Sequence, residues 1–463
     1  MKGKFKSMIL FEAERLGERL GGTMKNKLGS MVPLVVFAAL LLVPLYGCKA
    51  PAPTPTPTKV AVEATPTPAP TPTEVLEPIK IGNSLVMTGP KAKFGQYHID
   101  GETMALEEIE AEGWIRKGPL KGRPIEIIYV DDEAKPELAI ANVEKLIAVD
   151  KVVMILGGWS SSTVYAEAGV CEKYGIPFFC AYGAADKISG SGYKWTFRLC
   201  CPASEYDAGL RDFFEKVVKP KTITILHENT LFGESTSKAM VKWCEDHGVK
   251  VLMKEPYEAG TLDFRPLLTK VKALEPDVFY AVSYLADATL IIKQSRELGV
   301  HPKIFCGAAA GWGVEDFIKG AGVATEYTIS SILWSPDVKY PGAKEFAEKF
   351  REKYGYEPNY HTCAGYASIY ALREVLETTK SLEPEDLWEA MRKLDIMTPY
   401  GRITFGDWDG MFMRFTNQPK IDPLVRQVQN GKFVTIWPKE YAAADYIYPL
   451  PFEKWIEGKL AGE

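Results

Sequence analysis

The sequence has little with which to hold a metal or run a reaction. Its 463 residues include five histidines, His98, His227, His247, His301 and His361, with no metal-ligand spacing among them and none beside a nucleophile in sequence. The eight cysteines, Cys48, Cys171, Cys180, Cys200, Cys201, Cys244, Cys306 and Cys363, form no CxxC pair and no cluster with histidine, which argues against structural zinc. GGWSSST at 157–163 lacks the GxSxG elbow of an α/β hydrolase, and GSG at 190–192 is not followed by the GKS/T of a phosphate loop. Catalysis therefore has no positive support, and neither a cofactor nor a metal is expected. Basic residues do not cluster either. With 55 Lys and Arg against 60 Asp and Glu, a net charge of -5 and no basic stripe to follow a phosphate backbone, nucleic acid is not an expected partner.

What is present begins at the front. Residues 31–45 read MVPLVVFAALLLVPL behind Lys25 and Lys27, an apolar core too short to span a bilayer comfortably and preceded by a basic segment, as in a signal peptide. Leu45-Tyr46-Gly47-Cys48 follows and resembles the lipobox of bacterial and archaeal lipoproteins. That resemblance implies cleavage before Cys48 and lipidation of its thiol, a lasting anchor because each buried methylene contributes about 0.8 kcal/mol. Residues 1–23 carry Glu12, Glu14 and Glu18 ahead of the basic segment and suit a signal peptide poorly, so Met24 is the better start. From 49 to 78 Pro and Thr dominate. Such a stretch forms no core and reads as a disordered linker or stalk, reaching up to about 3.1 Å per residue.

With 46% hydrophobic and 25% charged residues, the remainder is globular and long enough for two cores. Strand patterns fall at 79–84, 125–131, 152–158 and 176–182, and again at 222–228, 249–255, 277–284 and 303–309. Helical patterns lie between them, for example at 103–111, 138–149, 235–246 and 286–298. A break near Cys200-Cys201-Pro202 separates the two rounds. Helices follow at 343–354 and 363–379, then strand-like GRITF (401–405) and VRQVQNGKFVTIWP (425–438). The fold class expected is α/β, with two doubly wound lobes whose parallel sheets are covered on both faces. Ligands of such sheets sit beyond the carboxyl ends of the strands. With Cys48 lipidated, at least one of seven other cysteines stays unpaired; Cys171 with Cys180 and Cys200 with Cys363 are conceivable disulfides, and buried small hydrophobes are the expectation.

TGPKAKFG (88–95), YVDDEAKPELAIANVEKLI (129–147), GGWSSST (157–163), KYGIPFF (173–179), FGES (232–235) and PYGRITF (399–405), in this order and spacing, resemble the branched-chain amino-acid-binding solute receptors of ABC importers, over nearly all of 79–440. The resemblance implies the type I periplasmic-binding fold with three hinge crossovers: lobe 1 at 79–200 and 334–398, lobe 2 at 201–333 and 399–450, and a C-terminal tail at 451–463. It implies an extracytoplasmic protein that closes on a small amino acid or organic acid and delivers it to permease and ATPase subunits. The alternative is the ligand-binding component of a sensor with a separate membrane partner.

Ser160 to Thr163 join a strand to a helix, where hydroxyls and free N–H groups suit a carboxylate, although a plain helix cap uses the same residues. The resemblance favours Ser161 and Ser162 as ligand contacts and adds the segment Tyr182-Gly183-Ala184, in which Ala184 replaces the family's Thr. It places Phe94, Phe232 and Tyr284 around the cleft, with Trp159 and Trp312 beside them. Ala309 aligns with the glutamate that neutralises the ammonium group of amino-acid ligands. A pocket without that acid is expected to reject a zwitterion unless Asp287 or Glu228 replaces it, so an organic acid, aromatic ones included, fits at least as well as leucine or valine.

Overall fold

A computed structural model describes residues 76–462. The signal peptide, Cys48 and all but the last three residues of the stalk lie outside the described residues, as do the side chains of Ala309 and Ala310.

The first lobe is a five-stranded parallel sheet built from the first round of strand and helix. In chain order it comprises β1 (Ile79–Leu85), α1 (Ala92–Ala111), β2 (Ile125–Asp131), α2 (Pro136–Ala148), β3 (Met154–Leu156), α3 (Ser161–Tyr174), β4 (Phe178–Cys180), the single turn α4 (Lys187–Gly190) and β5 (Thr196–Arg198). The sheet order is β2-β1-β3-β4-β5. Its central strands are apolar on both faces because helices cover both, and β3, β4 and β5 have no exposed residue.

The second lobe repeats the pattern with α5 (Ala208–Phe213), β6 (Thr222–Glu228), α6 (Leu231–His247), β7 (Lys250–Tyr257), α7 (Arg265–Leu274), β8 (Val278–Val282), α8 (Leu285–Leu298), β9 (Ile304–Gly307), the short α9 (Ala309–Trp312), α10 (Glu315–Ala321) and β10 (Ile329–Ile332). The chain then returns to the first lobe with α11 (Ala343–Tyr354), α12 (Tyr360–Thr378) and α13 (Pro384–Arg392). Two small hairpins follow, β11 (Asp395–Thr398) with β12 (Gly401–Thr404) and β13 (Gly406–Asp409) with β14 (Arg414–Gln418). A last hairpin, β15 (Leu424–Gln429) with β16 (Lys432–Trp437), extends the second sheet to the order β16-β15-β10-β9-β8-β6-β7. Its turn is Asn430-Gly431, both at positive φ, the left-handed pair that tight hairpins require. The chain thus passes between the lobes three times, after β5, after β10 and between α13 and β15.

The return helices are welded to α1. Gly101 of α1 faces the backbone of α12 so closely that a Cβ there would lie 2.0 Å from the Thr362 carbonyl oxygen, and one on Gly365 would lie 2.7 Å from that of His98. Only glycine permits this approach. Around it Lys349 pairs with Glu108 at 2.9 Å and Arg373 with Glu112 at 2.6 Å, while the Tyr366 and Tyr370 hydroxyls donate to Glu108.

Several expected boundaries move. The helix expected from 103 begins at Ala92, since TGPKAKFG reads as a loop in isolation. GRITF forms a separate hairpin instead of joining a main sheet. Residues after 450 are no loose tail: α14 (Phe452–Glu457) buries Trp455 completely against Phe305, and its indole N–H donates to the Ala324 carbonyl at 2.9 Å. The seven described cysteines are all buried free thiols, so neither conceivable disulfide forms. No described helix is long and apolar enough to cross a membrane.

Candidate functional site

In both sheets the strand order reverses once, at β1 and β3 in the first lobe and at β6 and β8 in the second. A crevice opens at such a switch point, beyond the carboxyl ends of the two strands. Here the two crevices share one cavity, lined by Trp159, Ser161, Tyr182, Gly183, Ala184, Cys200, Tyr206, Phe232, Tyr284, Tyr360 and His361.

The first lobe supplies the polar part. After β3 the chain turns through Gly158, at φ +74°, where a Cβ would collide with Val164 and Glu167, and enters α3. Ser160 caps that helix, its hydroxyl accepting from Thr163 N at 3.2 Å. The plain capping role therefore belongs to Ser160, and Ser161 is left facing the cavity, where its oxygen accepts from Ala185 N at 3.1 Å. The first amides of α3 have no partner within the helix and carry its positive dipole end, an arrangement suited to an anion.

The adjoining loop is shaped by a residue that sequence reasoning missed. Arg198, fully buried on β5, donates through Nη1 to the carbonyls of Gly183, Ala184 and Ala185 at 3.0, 2.9 and 2.8 Å. Its Nε donates to Gln418 Oε1 at 2.6 Å and its Nη2 to Ser189 Oγ at 2.7 Å. One guanidinium thus sets the path of three consecutive peptides on the cavity wall. No local pattern reveals this, because the acceptors lie 9 to 220 residues away.

The second lobe supplies rings. Phe232 and Tyr284 stack 5.8 Å apart, Tyr206 meets Phe232 edge-on at 5.7 Å, and Tyr284 lies 4.7 Å from Trp159 of the first lobe. Phe94 does not line the cavity. It stacks behind Trp159 at 4.4 Å and braces it. Lys91 completes the lip, with Nζ 4.5 Å from the centre of the Tyr284 ring, a cation–π contact between lobes.

Ser162, Trp312, Glu228 and Asp287 fall outside the cavity lining among the described residues. Ser162 is half-buried on the next position of α3. Ala309 begins α9, and its side chain lies outside the described residues. Trp312 packs in the second lobe's core, 5.1 Å from Phe317. Glu228 and Asp287 do not line the cavity either. Glu228 is buried and accepts from Tyr284 N, tying the exit of β6 to that of β8. Burial raises its carboxyl to about 8, against the lowering pull of the Tyr284 N–H and Lys91 and with a smaller raising contribution from Asp287. This carboxyl lies outside the cavity lining and positions Tyr284 through its backbone. Cys200, Tyr206, Tyr360 and His361 were not foreseen as lining residues.

The cavity volume is about 30 Å³, room for one or two waters. A solute larger than that enters only if the aromatic rings or the lobes separate. Among the described residues no group of three or more His, Cys, Asp or Glu is placed to hold a metal ion.

A family model described as periplasmic binding protein matches residues 78–416. Leu/Ile/Val-binding protein homolog 7 of Brucella melitensis is 25% identical over 384 residues, covering 80% of this chain and 94% of the relative. Among solved structures, the branched-chain amino acid transporter substrate-binding protein of Streptococcus pneumoniae in complex with isoleucine aligns with a TM-score of 0.69 at 21% identity, covering 81% of this chain and all of that one. A solute-binding protein of an ABC transporter from R. palustris in complex with benzoate aligns with a TM-score of 0.68 at 20% identity, covering 77% and 95%. At such identities these two likenesses are of fold, and folds of one kind host different ligands.

Proposed function

Because this chain belongs to the periplasmic binding protein family, we propose that it is the extracytoplasmic solute-binding subunit of an ABC importer, and that its solute is a small carboxylic acid rather than an aliphatic amino acid. The observation that carries the choice of solute is the composition of the cavity wall. Among the described residues it holds Ser161 at the start of α3 and seven aromatic or imidazole rings, and no carboxylate. A zwitterion brought there buries an ammonium without a counter-charge, at a cost of several kcal/mol. A carboxylate meets hydroxyl and amide donors and lays its apolar body against rings. The benzoate complex of the R. palustris protein supports this reading as a precedent for the fold.

Capture follows from the architecture. A solute bridging both lobes has more contacts when they are closed, so its differential affinity shifts the open–closed equilibrium, and the closed form is the one that docks on the permease. Ligand-induced shifts in thermal unfolding, measured for a panel of aliphatic amino acids and simple aromatic and aliphatic carboxylates, test the solute class. Stabilisation by carboxylates without turnover is expected; stabilisation by leucine or valine with none from carboxylates rules it out.

The front of the chain belongs to the same reading. The apolar run at 31–45 ahead of Cys48, and the Pro/Thr stalk behind it, fit a lipid tether that keeps the receptor beside its importer. Cys48→Ser is expected to release the protein from the membrane fraction of expressing cells, and retention there would end the tether idea.

A further inference from the structure

Two polar side chains on the cavity wall are left over by this account, the Tyr360 hydroxyl and the His361 imidazole, and of the two the imidazole is the one that gains a positive charge on protonation. His361, the second residue of α12, is 2% exposed, lines the cavity, and has no hydrogen-bond partner at either ring nitrogen. Its backbone is held in place, His361 N donating to the Asn359 cap at 2.8 Å, and the glycine contact of α12 with α1 fixes the helix beneath it. Rings enclose it: Tyr360 at 4.0 Å, Tyr182 edge-on at 4.4 Å, Phe94 edge-on at 5.1 Å and Trp159 at 6.4 Å. The titratable groups that face it are Tyr182 after β4, Tyr360 on its own helix, and Tyr97 and His98 on α1, the last two at 6.2 and 5.8 Å. None of these is a carboxylate or an ammonium. A buried imidazole with both nitrogens unsatisfied needs a reason, and this one belongs to a wall already suited to an anion.

Resting on the carboxylic-acid reading above, we propose that His361 is the solute's second polar anchor, and that it takes up one proton from solvent as a monoanionic carboxylic acid enters, so that the closed cavity holds a net-neutral imidazolium–carboxylate pair. Burial and the neighbouring His98 keep the empty imidazole neutral, well below its ordinary range. The incoming carboxylate reverses that balance, since an adjacent opposite charge favours the protonated ring. A zwitterion gains nothing, because its ammonium meets a second cation.

The sign of the pH effect follows. Where the empty ring is neutral and the liganded ring is protonated, each binding event consumes one proton, and affinity falls by up to tenfold per unit as pH rises. Isothermal titration of the intact protein with sodium benzoate, between pH 6 and 8 in buffers of different ionisation enthalpy, reads the uptake directly. Uptake approaching one proton per benzoate is expected, together with its loss, and a flat pH profile, in His361→Gln, which keeps a donor but cannot charge. Buffer-independent heats in the unsubstituted protein overturn the proposal, as does uptake that survives in His361→Gln, which would place the proton on His98. If neither benzoate nor any other carboxylate binds while an amino acid does, the carboxylic-acid reading itself falls and takes this inference with it.

Discussion

The two lobes bring different chemistry to one cavity. From the first come a serine at a helix start, a loop of three peptides tethered to a buried arginine, and an unpartnered imidazole. From the second come the rings of Tyr206, Phe232 and Tyr284, which add to Trp159, Tyr182 and Tyr360 of the first, with a buried acid that holds the Tyr284 backbone. Both lobes use the same device, a switch point in a mostly parallel sheet, so the difference lies in the residues placed there and not in the fold. It suggests a division of labour in which the first lobe recognises the charged end of the solute and the second covers its apolar body. Such asymmetry suits capture, since a solute bound first on the polar wall is desolvated only when the rings close over it.

Three substitutions test this division. The largest effect is expected from Arg198→Met, which removes one charged donor shared by the carbonyls of Gly183, Ala184 and Ala185, Gln418 and Ser189; Ala184 and Ala185 keep Ala203 N and Ile188 N as donors, and Ser189 keeps its bond to Gln418. Hydrogen bonds to charged groups contribute roughly 1.5–3 kcal/mol each, and with the remaining donors offsetting part of that, a total loss of about 3–5 kcal/mol of stability is expected by denaturant unfolding, with carboxylate binding abolished. Unchanged stability and binding would show that the polar wall does not depend on this residue.

Ser161→Ala comes next. It leaves the Ser160 cap intact but takes the acceptor from Ala185 N, so stability should fall by roughly 1–3 kcal/mol, less than for Arg198→Met, while carboxylate affinity drops. Hydrogen bonds to charged groups contribute roughly 1.5–3 kcal/mol, which corresponds to about tenfold to a hundredfold in Kd by titration. Unaltered affinity would take Ser161 out of the site. The smallest effect is expected from Tyr284→Leu, which keeps apolar cover but loses the ring contacts with Trp159 and Phe232 and the Lys91 cation. Aromatic pairs contribute about 0.5–1.5 kcal/mol beyond burial, or roughly twofold to tenfold in affinity, with discrimination among carboxylates of different apolar bulk relaxed. Should Tyr284→Leu cost more than Ser161→Ala for a simple carboxylate, the assignment of polar and apolar roles would have to be exchanged.

How far the site could be read ahead of the structure depended on whether its residues are local to a strand end. Trp159, Ser161, Tyr182, Phe232 and Tyr284 each follow an apolar run by a few residues, so strand and helix patterning, together with resemblance to a family, located them. Residue type alone does not tell Ser160 from Ser161, because capping and ligand binding use the same side chains; the resemblance favoured Ser161, and the hydrogen bond to Thr163 N gives the cap to Ser160. Ser162 was expected at the wall and sits one helical step away from it. Tyr360 and His361 arrive after the second crossing of the chain, about 200 residues beyond Trp159, and no periodicity links them to it. Trp312 and Glu228 carried side chains of the right type and turned out to belong to packing and positioning, which burial and partners decide.

By itself, then, the sequence determined two rounds of βα units, the Asn-Gly turn of the last hairpin and the apolar run ahead of Cys48, since each rests on periodicity or on residues within one turn of each other. Only the tertiary structure decided which buried groups share a wall. Arg198 reaches the 183–185 loop and Gln418, and His361 comes to lie among Tyr182, His98 and Phe94, because sheets and a glycine-mediated helix contact bring distant segments within hydrogen-bond and ring-contact range. Whether a buried polar group is satisfied or waits for a partner is a property of such three-dimensional neighbourhoods, and a one-dimensional pattern does not encode it.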